Sequence, residues 1–298
     1  MTTKTADTLT MTHKSTNVRS HMTTPLWLRL GFSTAGYLAP ELTAAVAERL
    51  FFRTRRTAAR AGERDVLQSA TAVSIAGMKA WTWGEGPTVL LVHGWNGRAS
   101  QLGSVVTPLL AQGYRVVGFD AFGHGDSPGS SMSIPELASC VRQIADELGG
   151  VYGVIAHSMG GAATTLALSE GLEIERAVFI SPPSDPNEFL DIFSAAIGIS
   201  DRVRARVKRR VEHRLGIRID DLRANVLAPS MKIPLLVIHD RDDKEVPVRS
   251  GQSIARAWPD AELIVTEGLG HQRILRAEHV TNVAVSFIDA VQHLKIAA

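Results

Sequence analysis

The sequence predicts an α/β fold, in which a mostly parallel β-sheet carries helices on both faces and a small helical cap. From residue 88 onward, short apolar runs alternate with helical patterns of ten or more residues, as is typical of a parallel sheet covered by helices. Residues 88–92 form a continuous apolar run, which indicates a fully buried parallel strand. Residues 181–232 then separate two predicted strands, and this segment is too long for a plain connection.

The composition limits the class of protein. With 298 residues, 45% of them hydrophobic and 21% charged, the chain is typical of a globular protein that buries a large core. A net charge of +2 gives no general electrostatic reason to bind nucleic acid. The single cysteine, Cys140, excludes an intramolecular disulfide and indicates a buried, inert thiol in a helix. This cysteine usage fits a reducing compartment, so we expect a cytoplasmic protein.

The N-terminal region divides into a tail and an arm. Residues 1–24 are polar and rich in threonine, which predicts a disordered tail without a secretory signal. Residues 25–69 are predicted to form a helical arm, in which Pro40 suits a first helical turn. Arg29, Glu41 and Glu48 interrupt it, which argues against a membrane-spanning helix. We favour an arm packed on the main domain, and the alternative is an amphipathic helix that contacts a membrane surface or a partner.

The main domain is predicted to comprise residues 70–182 and 233–298. Two runs that alternate around Gly77, at 72–76 and 79–83, indicate a hairpin. Further strands are predicted at 88–92, 115–119, 151–156, 176–180, 234–238 and 262–265. Helices are predicted at 102–112, 134–148, 159–170, 249–258 and 277–294.

The insertion at 183–232 is predicted to be the cap, with helices at 187–197, 201–215 and 219–227. A cap at this point should lie over the strand ends and shape the substrate pocket. The apolar candidates to face the pocket, with packing inside the cap as the alternative, are Phe189, Leu190, Ile192, Phe193 and Ile197. The second helix is basic, with Arg202, Arg204, Arg206, Lys208, Arg209, Arg210 and Arg214. The ordinary explanation of these charges is a solvated helix face. The alternative hypothesis is that they attract an anionic substrate or an anionic membrane surface.

Reactive side chains follow four of the predicted strands, where parallel sheets bind their ligands. In chain order these are His93, Ser158, an aspartate cluster at 240, 242 and 243, and His271. Ser158 lies between a predicted strand and a predicted helix, in Ala156-His157-Ser158-Met159-Gly160. This segment differs from the Gly-x-Ser-x-Gly turn of serine nucleophiles by one methyl group.

From residue 70 onward, the chain resembles the α/β-hydrolase superfamily. Its five motifs are His93-Gly94-Trp95-Asn96-Gly97, Asp120-Ala121-Phe122-Gly123-His124-Gly125-Asp126-Ser127, His157-Ser158-Met159-Gly160-Gly161, Asp243-Lys244-Glu245-Val246-Pro247 and Gly268-Leu269-Gly270-His271. The resemblance implies an α/β-hydrolase fold with Ser158 as nucleophile, His271 as general base and Asp243 as the orienting acid. Asp242 is the second candidate for the acid, ahead of Asp240. The backbone N–H groups of Trp95 and Met159 are implied to form the oxyanion hole.

The resemblance implies a serine hydrolase, most concretely a carboxylesterase that cleaves small or medium acyl esters through an acyl-enzyme. Thioesterase, lysophospholipase, C–C-bond hydrolase and perhydrolase activities are the alternatives on the same fold, and a non-catalytic ligand-binding protein is a rival from another class. Epoxide hydrolases and haloalkane dehalogenases are disfavoured because they need an aspartate in place of Ser158. We expect a small-molecule ester substrate, no cofactor, no metal and no nucleic acid, while the oligomeric state is left open.

Overall fold

The computed structural model describes residues 24–290, which form one eight-stranded sheet with helices on both faces. The strands are β1 (Thr71–Ile75), β2 (Met78–Trp83), β3 (Thr88–Val92), β4 (Arg115–Phe119), β5 (Gly153–His157), β6 (Arg176–Ile180), β7 (Leu235–Asp240) and β8 (Ala261–Thr266). Residues 1–23 of the tail predicted at 1–24, and residues 291–294 of the helix predicted at 277–294, lie outside the described residues.

Twelve α-helices are described within residues 24–290. They are α1 (Leu26–Leu38), α2 (Pro40–Phe51), α3 (Ala61–Gln68), α4 (Val106–Ala111), α5 (Ile134–Glu147), α6 (Met159–Ser169), α7 (Pro186–Ile197), α8 (Asp201–Leu215), α9 (Ala224–Leu227), α10 (Val248–Ala257), α11 (Gly270–Arg273) and α12 (Glu278–Asp289).

The sheet has the strand order β1-β2-β4-β3-β5-β6-β7-β8. The first two strands form the predicted antiparallel hairpin, and β2 pairs antiparallel with β4. Every later pairing is parallel, as the apolar, β-branched strands predicted. Because β3, β5, β7 and β8 are mutually parallel, their carboxyl ends meet at one edge, which we call the carboxyl edge.

Two apolar cores cover the two faces of the sheet. Alternate residues of each parallel strand enter opposite cores: in β3, Leu90 packs in the first core and Leu91 in the second. Cys140 of α5 is buried in the first core, as predicted, and burial raises the pKa of its thiol to about 11.

A third core joins the predicted N-terminal arm to the segment predicted to be the cap. Ala44 and Ala47 of α2 pack against Val203, Val207 and Val211 of α8. Three of the proposed pocket-facing residues, Leu190, Phe193 and Ile197, lie in this same core. They therefore pack against the arm, and only Phe189 and Ile192 stay half-buried outside it. We call helices α1, α2, α7 and α8 the arm–cap unit.

Two of the predicted helices are divided into shorter segments in the structure, so their predicted boundaries were wrong. The helix predicted at 102–112 is a 3₁₀ segment, Ala99–Val105, followed by α4. The helix predicted at 219–227 is broken into Ile219–Leu222 and α9, because Arg223 between them is extended. Helix α3 lies within the arm predicted at 25–69, but no bounds were predicted for it. None of the helices in residues 24–290 has the length and apolar character needed to cross a membrane.

Candidate active site

Ser158 lies on a strained turn between β5 and α6. Its φ is 52° and its ψ is −125°, a left-handed backbone that non-glycine residues adopt at a cost and that is common at functional sites. The turn is closely packed, since a Cβ on Gly160 would lie 2.5 Å from the Val92 carbonyl oxygen. A Cβ on Gly94 would lie 2.8 Å from the Cβ of Ser158. The segment after β3 therefore passes directly against the serine.

Ala156 stands in place of the first glycine of the usual Gly-x-Ser-x-Gly turn. It is the fourth residue of β5, is fully buried, and belongs to the first core. Its φ is not among the positive values found in residues 24–290, whereas Ser158, two residues later, has one. The backbone at position 156 therefore does not require glycine, and the methyl group packs in the core.

Asp243 and His271 form a buried pair after β7 and β8. Oδ2 of Asp243 accepts a 2.7 Å hydrogen bond from Nδ1 of His271, and both side chains are almost fully buried. Oδ1 accepts from the backbone N–H groups of Glu245 and Val246, each at 2.9 Å. Nδ1–H is thereby held by the carboxylate, which leaves Nε2 of His271 as the free basic nitrogen.

The surroundings of Asp243 favour its ionised form. Burial acts to raise the pKa of the carboxyl, but the hydrogen bond and charge of His271, with the two backbone N–H groups, lower the pKa below its usual value. Asp242, the second candidate acid, is exposed, and its Oδ2 accepts from the N–H of Gly268 at 2.9 Å. Asp242 makes no hydrogen bond to His271 in the described residues.

Asp240 binds the loop that carries His271, a role that the sequence analysis missed. Its side chain is fully buried and accepts four hydrogen bonds. Oδ1 accepts from the N–H groups of Gly270 and Asp242 at 2.9 and 3.0 Å, and Oδ2 accepts from Thr266 Oγ1 and Leu269 N–H at 2.7 and 3.1 Å. Burial acts to raise the pKa of this carboxyl, but the four donors lower it below its usual value. The signal that could have found this role is the acidic residue itself, which is the last residue of a strand that is buried throughout.

His157 links the two sides of the site. Its Nε2–H donates to the carbonyl oxygen of His271 at 3.0 Å, and the two rings lie 4.6 Å apart. Burial, together with the neighbouring His271, lowers the pKa of His157 well below its usual value, so this ring stays neutral. The residue next to Ser158 thus contacts the backbone of His271.

Trp95 and Met159 flank Ser158 from two directions. Met159 is the first residue of α6, at the helix end where unpaired N–H groups and the helix dipole favour negative charge. Trp95 follows Gly94, which touches the serine, and its ring packs edge-on against His124 at 5.8 Å. Both residues therefore lie on segments that border the serine.

The remaining polar residues of the motifs support the loops. Nε2 of His93 accepts from the Ala121 N–H at 3.0 Å, and Asp120 accepts from the N–H groups of Ala99 and Asp126, each at 2.8 Å. Burial lowers the pKa of His93 to about 4, and burial with the adjacent His93 lowers the pKa of His124 to about 4. Both rings are therefore neutral near pH 7 and hold their loops through hydrogen bonds.

The chain that follows the arm borders the same loops. The N–H of Arg55 donates to Oδ1 of Asn96 at 2.7 Å, and Oγ1 of Thr54 donates to the Gly123 carbonyl at 2.8 Å. Two surface depressions, of about 380 and 440 Å³, lie elsewhere, at Thr82 and Arg115 and between α2 and α8. Within residues 24–290, no group of three or more His, Cys, Asp or Glu side chains could hold a metal ion.

Comparison with known proteins adds a family match. Residues 89–284 match the model of the alpha/beta hydrolase family. This range includes Trp95, Ser158, Asp243 and His271.

Among individual proteins, the chain is similar to the pimeloyl-[acyl-carrier protein] methyl ester esterase of Nitrosomonas europaea. The identity is 26% over 239 residues, 65% of this chain and 92% of that enzyme. A 2-hydroxy-6-oxononadienedioate/2-hydroxy-6-oxononatrienedioate hydrolase of a Pseudomonas species is 32% identical over 126 residues, 38% of this chain and 44% of that protein. The esterase EaEST of Exiguobacterium antarcticum superposes with a TM-score of 0.55 at 18% identity, over 73% of this chain and 98% of that one.

Proposed function

The chain belongs to the alpha/beta hydrolase family, as its motifs predicted, and from this premise we propose that it is a serine hydrolase. Ser158 is the nucleophile, His271 the general base and Asp243 the acid that orients the histidine. The observation that carries this proposal is the buried 2.7 Å hydrogen bond between Asp243 and His271. These two residues follow β7 and β8, at the same carboxyl edge of the sheet as the strained serine after β5. The chain order Ser, Asp, His is the order of this fold.

In the proposed reaction, Nε2 of His271 takes the proton of Ser158 as Oγ attacks the ester carbonyl carbon. The tetrahedral intermediate collapses when the C–O bond to the alcohol breaks, and His271 gives its proton to the leaving oxygen. Water then attacks the acyl-enzyme as the same nitrogen takes its proton. The bond between the acyl carbon and Oγ of Ser158 breaks, His271 returns the proton to Oγ, and the carboxylic acid is released. Asp243 holds Nδ1–H throughout, so that Nε2 faces the reaction.

Two backbone N–H groups are proposed to stabilise the oxyanion. Met159 N–H lies at the start of α6, and Trp95 N–H lies on the segment packed against Ser158. Loss of one such donor costs about 3 kcal/mol of transition-state stabilisation in a serine protease. Asp240 is proposed to act as a positioning residue, because its hydrogen bonds to Leu269 and Gly270 fix the backbone directly before His271.

The proposed substrates are small or medium acyl esters, which would make the protein a carboxylesterase. The similarity to an enzyme named as a methyl ester esterase supports an ester substrate. A second candidate is a C–C-bond hydrolase, favoured by the similarity to the Pseudomonas hydrolase of oxo-dienedioates. We further propose that residues 183–232 act as the cap over the site and residues 25–69 as its arm, and that the protein acts in the cytoplasm without a cofactor.

Labelling with a fluorophosphonate probe tests the nucleophile. We expect the folded protein to be labelled and Ser158→Ala not to be. The matched control is Ser181→Ala. Ser181 also follows a strand and also has a positive φ, and this variant should be labelled like the wild type. If the folded wild type resists the probe, the hydrolase proposal fails and the non-catalytic alternative gains.

A substrate panel then separates the candidate activities. p-Nitrophenyl esters of increasing chain length, an acyl thioester and a 2-hydroxy-6-oxo-dienoic acid would be compared by kcat/KM with the same enzyme. The carboxylesterase proposal predicts the highest value for a short or medium oxygen ester. A higher value for the dienoic acid would favour the C–C-bond hydrolase.

A further inference from the structure

The arm has a second apolar face that covers nothing in the described structure. Seven of the ten exposed large hydrophobic side chains in residues 24–290 lie within residues 26–46. They are Leu26 (69% exposed), Trp27 (72%), Leu30 (57%), Tyr37 (84%), Leu38 (74%), Leu42 (67%) and Val46 (42%). We call this surface the arm face.

The arm face is distinct from the face that holds the arm on the cap. Phe32 packs in the third core, and a Cβ on Gly36 would lie 3.1 Å from Cγ2 of Val203 in α8. Tyr37 and Leu38 follow Gly36 and are exposed. Helix α1 contains one charged residue, Arg29, and has no fully buried residue. A helix that is apolar on both sides is typically buried, and a large exposed apolar patch typically marks a site of interaction with a protein or a membrane.

The surroundings of the arm face are basic. Residues 24–60 and 186–215 contain 13 of the 32 Lys and Arg residues but only 6 of the 30 Asp and Glu residues. The acidic side chains there are largely paired, with Glu41 on Arg206 at 2.6 Å and Glu48 on Arg210 at 2.7 Å. Arg202 and Arg209 are exposed on α8 and make no ion pair within the described residues.

These charges lie next to the apolar side chains. Arg206, one turn after Arg202, binds Glu41, whose neighbour Leu42 belongs to the arm face. Arg29 is exposed on α1 itself, between Trp27 and Leu30. Aromatic and aliphatic side chains with a cationic border match an anionic lipid surface, where the rings enter the headgroup region and the arginines meet phosphates.

We propose that the arm face docks the protein on the surface of an anionic lipid membrane, with α1 lying in the plane of the interface. A second copy of the chain is the less suitable occupant. A symmetric interface would bring this basic surface against itself, and like charges oppose such an approach. The sequence favoured an arm packed on the main domain, whereas α1 and α2 pack on α7 and α8 of the segment predicted to be the cap. They use one face for that contact, which leaves the arm face available for the membrane.

Vesicle flotation of the full chain tests the proposal. Vesicles of phosphatidylcholine would be compared with vesicles containing about one third phosphatidylglycerol, which supplies the negative surface. We expect flotation with the anionic vesicles and at least about tenfold weaker binding to the neutral ones, since anionic headgroups attract the arginines near the membrane surface. The double variant Trp27→Ser/Leu30→Ser should weaken binding to anionic vesicles by about tenfold or more, because it removes buried apolar area.

Matched variants make the result specific. Val226→Ser/Val283→Ser removes two exposed apolar side chains outside the arm face and should leave binding unchanged. Arg202→Glu/Arg209→Glu should weaken binding to anionic vesicles only. The proposal is overturned if the arm-face variant floats like the wild type, or if no vesicle binds. It is also overturned if light scattering finds a dimer that Trp27→Ser/Leu30→Ser dissociates. Fluorophosphonate labelling is read separately, so failure here leaves the proposed hydrolase chemistry untouched.

Discussion

The carboxyl edge of the sheet and the arm–cap unit use opposite physical strategies. At the carboxyl edge, ionisable groups are buried and held by short hydrogen bonds, as in Asp240 with four donors and Asp243 with three. In the arm–cap unit, an apolar core of alanine, valine and phenylalanine is bordered by ion pairs at the surface. Burial and hydrogen bonds fix the positions of the polar atoms at the carboxyl edge, which suits catalysis. The arm–cap unit instead leaves apolar side chains exposed, which suits contact with a membrane or another molecule.

The largest expected effect separates two neighbouring aspartates at the carboxyl edge. Asp243→Asn should lower kcat by about 10⁴-fold, as in a serine protease triad, because the amide no longer holds the histidine in its active tautomer. Asp242→Asn is the matched control, and its effect should stay below about tenfold because its side chain is exposed. Steady-state hydrolysis of the preferred p-nitrophenyl ester measures both. If Asp242→Asn were the more damaging change, the assignment of the acid would be wrong.

The two regions should also differ in their response to acid. His93 and His124 have pKa values lowered to about 4 by burial, whereas the unfolded chain binds these protons near pH 6.5. The free energy of unfolding should be unaffected by them above pH 6.5 and should fall as the pH drops towards 4, by about 3 kcal/mol for each histidine. Urea unfolding at several pH values measures the slope.

Two histidine variants test whether the buried histidines cause this dependence of the free energy of unfolding on pH. His124→Asn keeps a donor for the Phe122 carbonyl, which Nδ1–H of His124 now occupies, and should reduce the loss in acid. His213→Asn, on the exposed surface of α8, should not. An equal effect of both variants would show that the carboxyl edge is not the source of the acid sensitivity.

Asp240→Asn should have an intermediate effect. An amide can replace only one of the two accepting oxygens, so two of the four donors lose their partners, at a cost of about 1–3 kcal/mol of stability. If Asp240 positions His271, kcat should also fall by about tenfold with KM little changed. Thr266→Val removes one donor and should cost less. A variant with lowered stability but wild-type kcat would reduce Asp240 to a structural residue.

The smallest effect is expected at the border of the arm–cap unit. Glu41→Gln removes the ion pair between Glu41 and Arg206. Because the Glu41 side chain is 70% exposed, this change should lower the free energy of unfolding by less than about 1 kcal/mol. A double-mutant cycle with Arg206→Ala, followed by urea unfolding, isolates the pair energy. A coupling well above that value would mean that ion pairs, rather than the third core, attach the arm.

Sequence reasoning was most successful where the information is local. Apolar runs and their spacing predicted the parallel strands, and the positions directly after them contained Ser158, Asp243 and His271, whose catalytic roles stay predictions. It was least successful where distant residues meet. Asp240 binds residues up to 30 positions away, and Glu48 of the arm binds Arg210, 162 positions along the chain. Leu190 was named as a candidate for the pocket, with packing inside the cap as the alternative, and its partners in the arm precede it by more than 130 residues.

The isolation of Cys140 has a practical consequence for spectroscopy. It is the only thiol of the chain, and its burial in α5 keeps it protonated and inaccessible to modifying reagents. A cysteine introduced on an exposed surface would therefore be the only reactive thiol, with no need to replace the native one. A spin label or an environment-sensitive dye at Trp27→Cys would report the depth of α1 in a bilayer, and the same label at Val283→Cys would provide the aqueous reference.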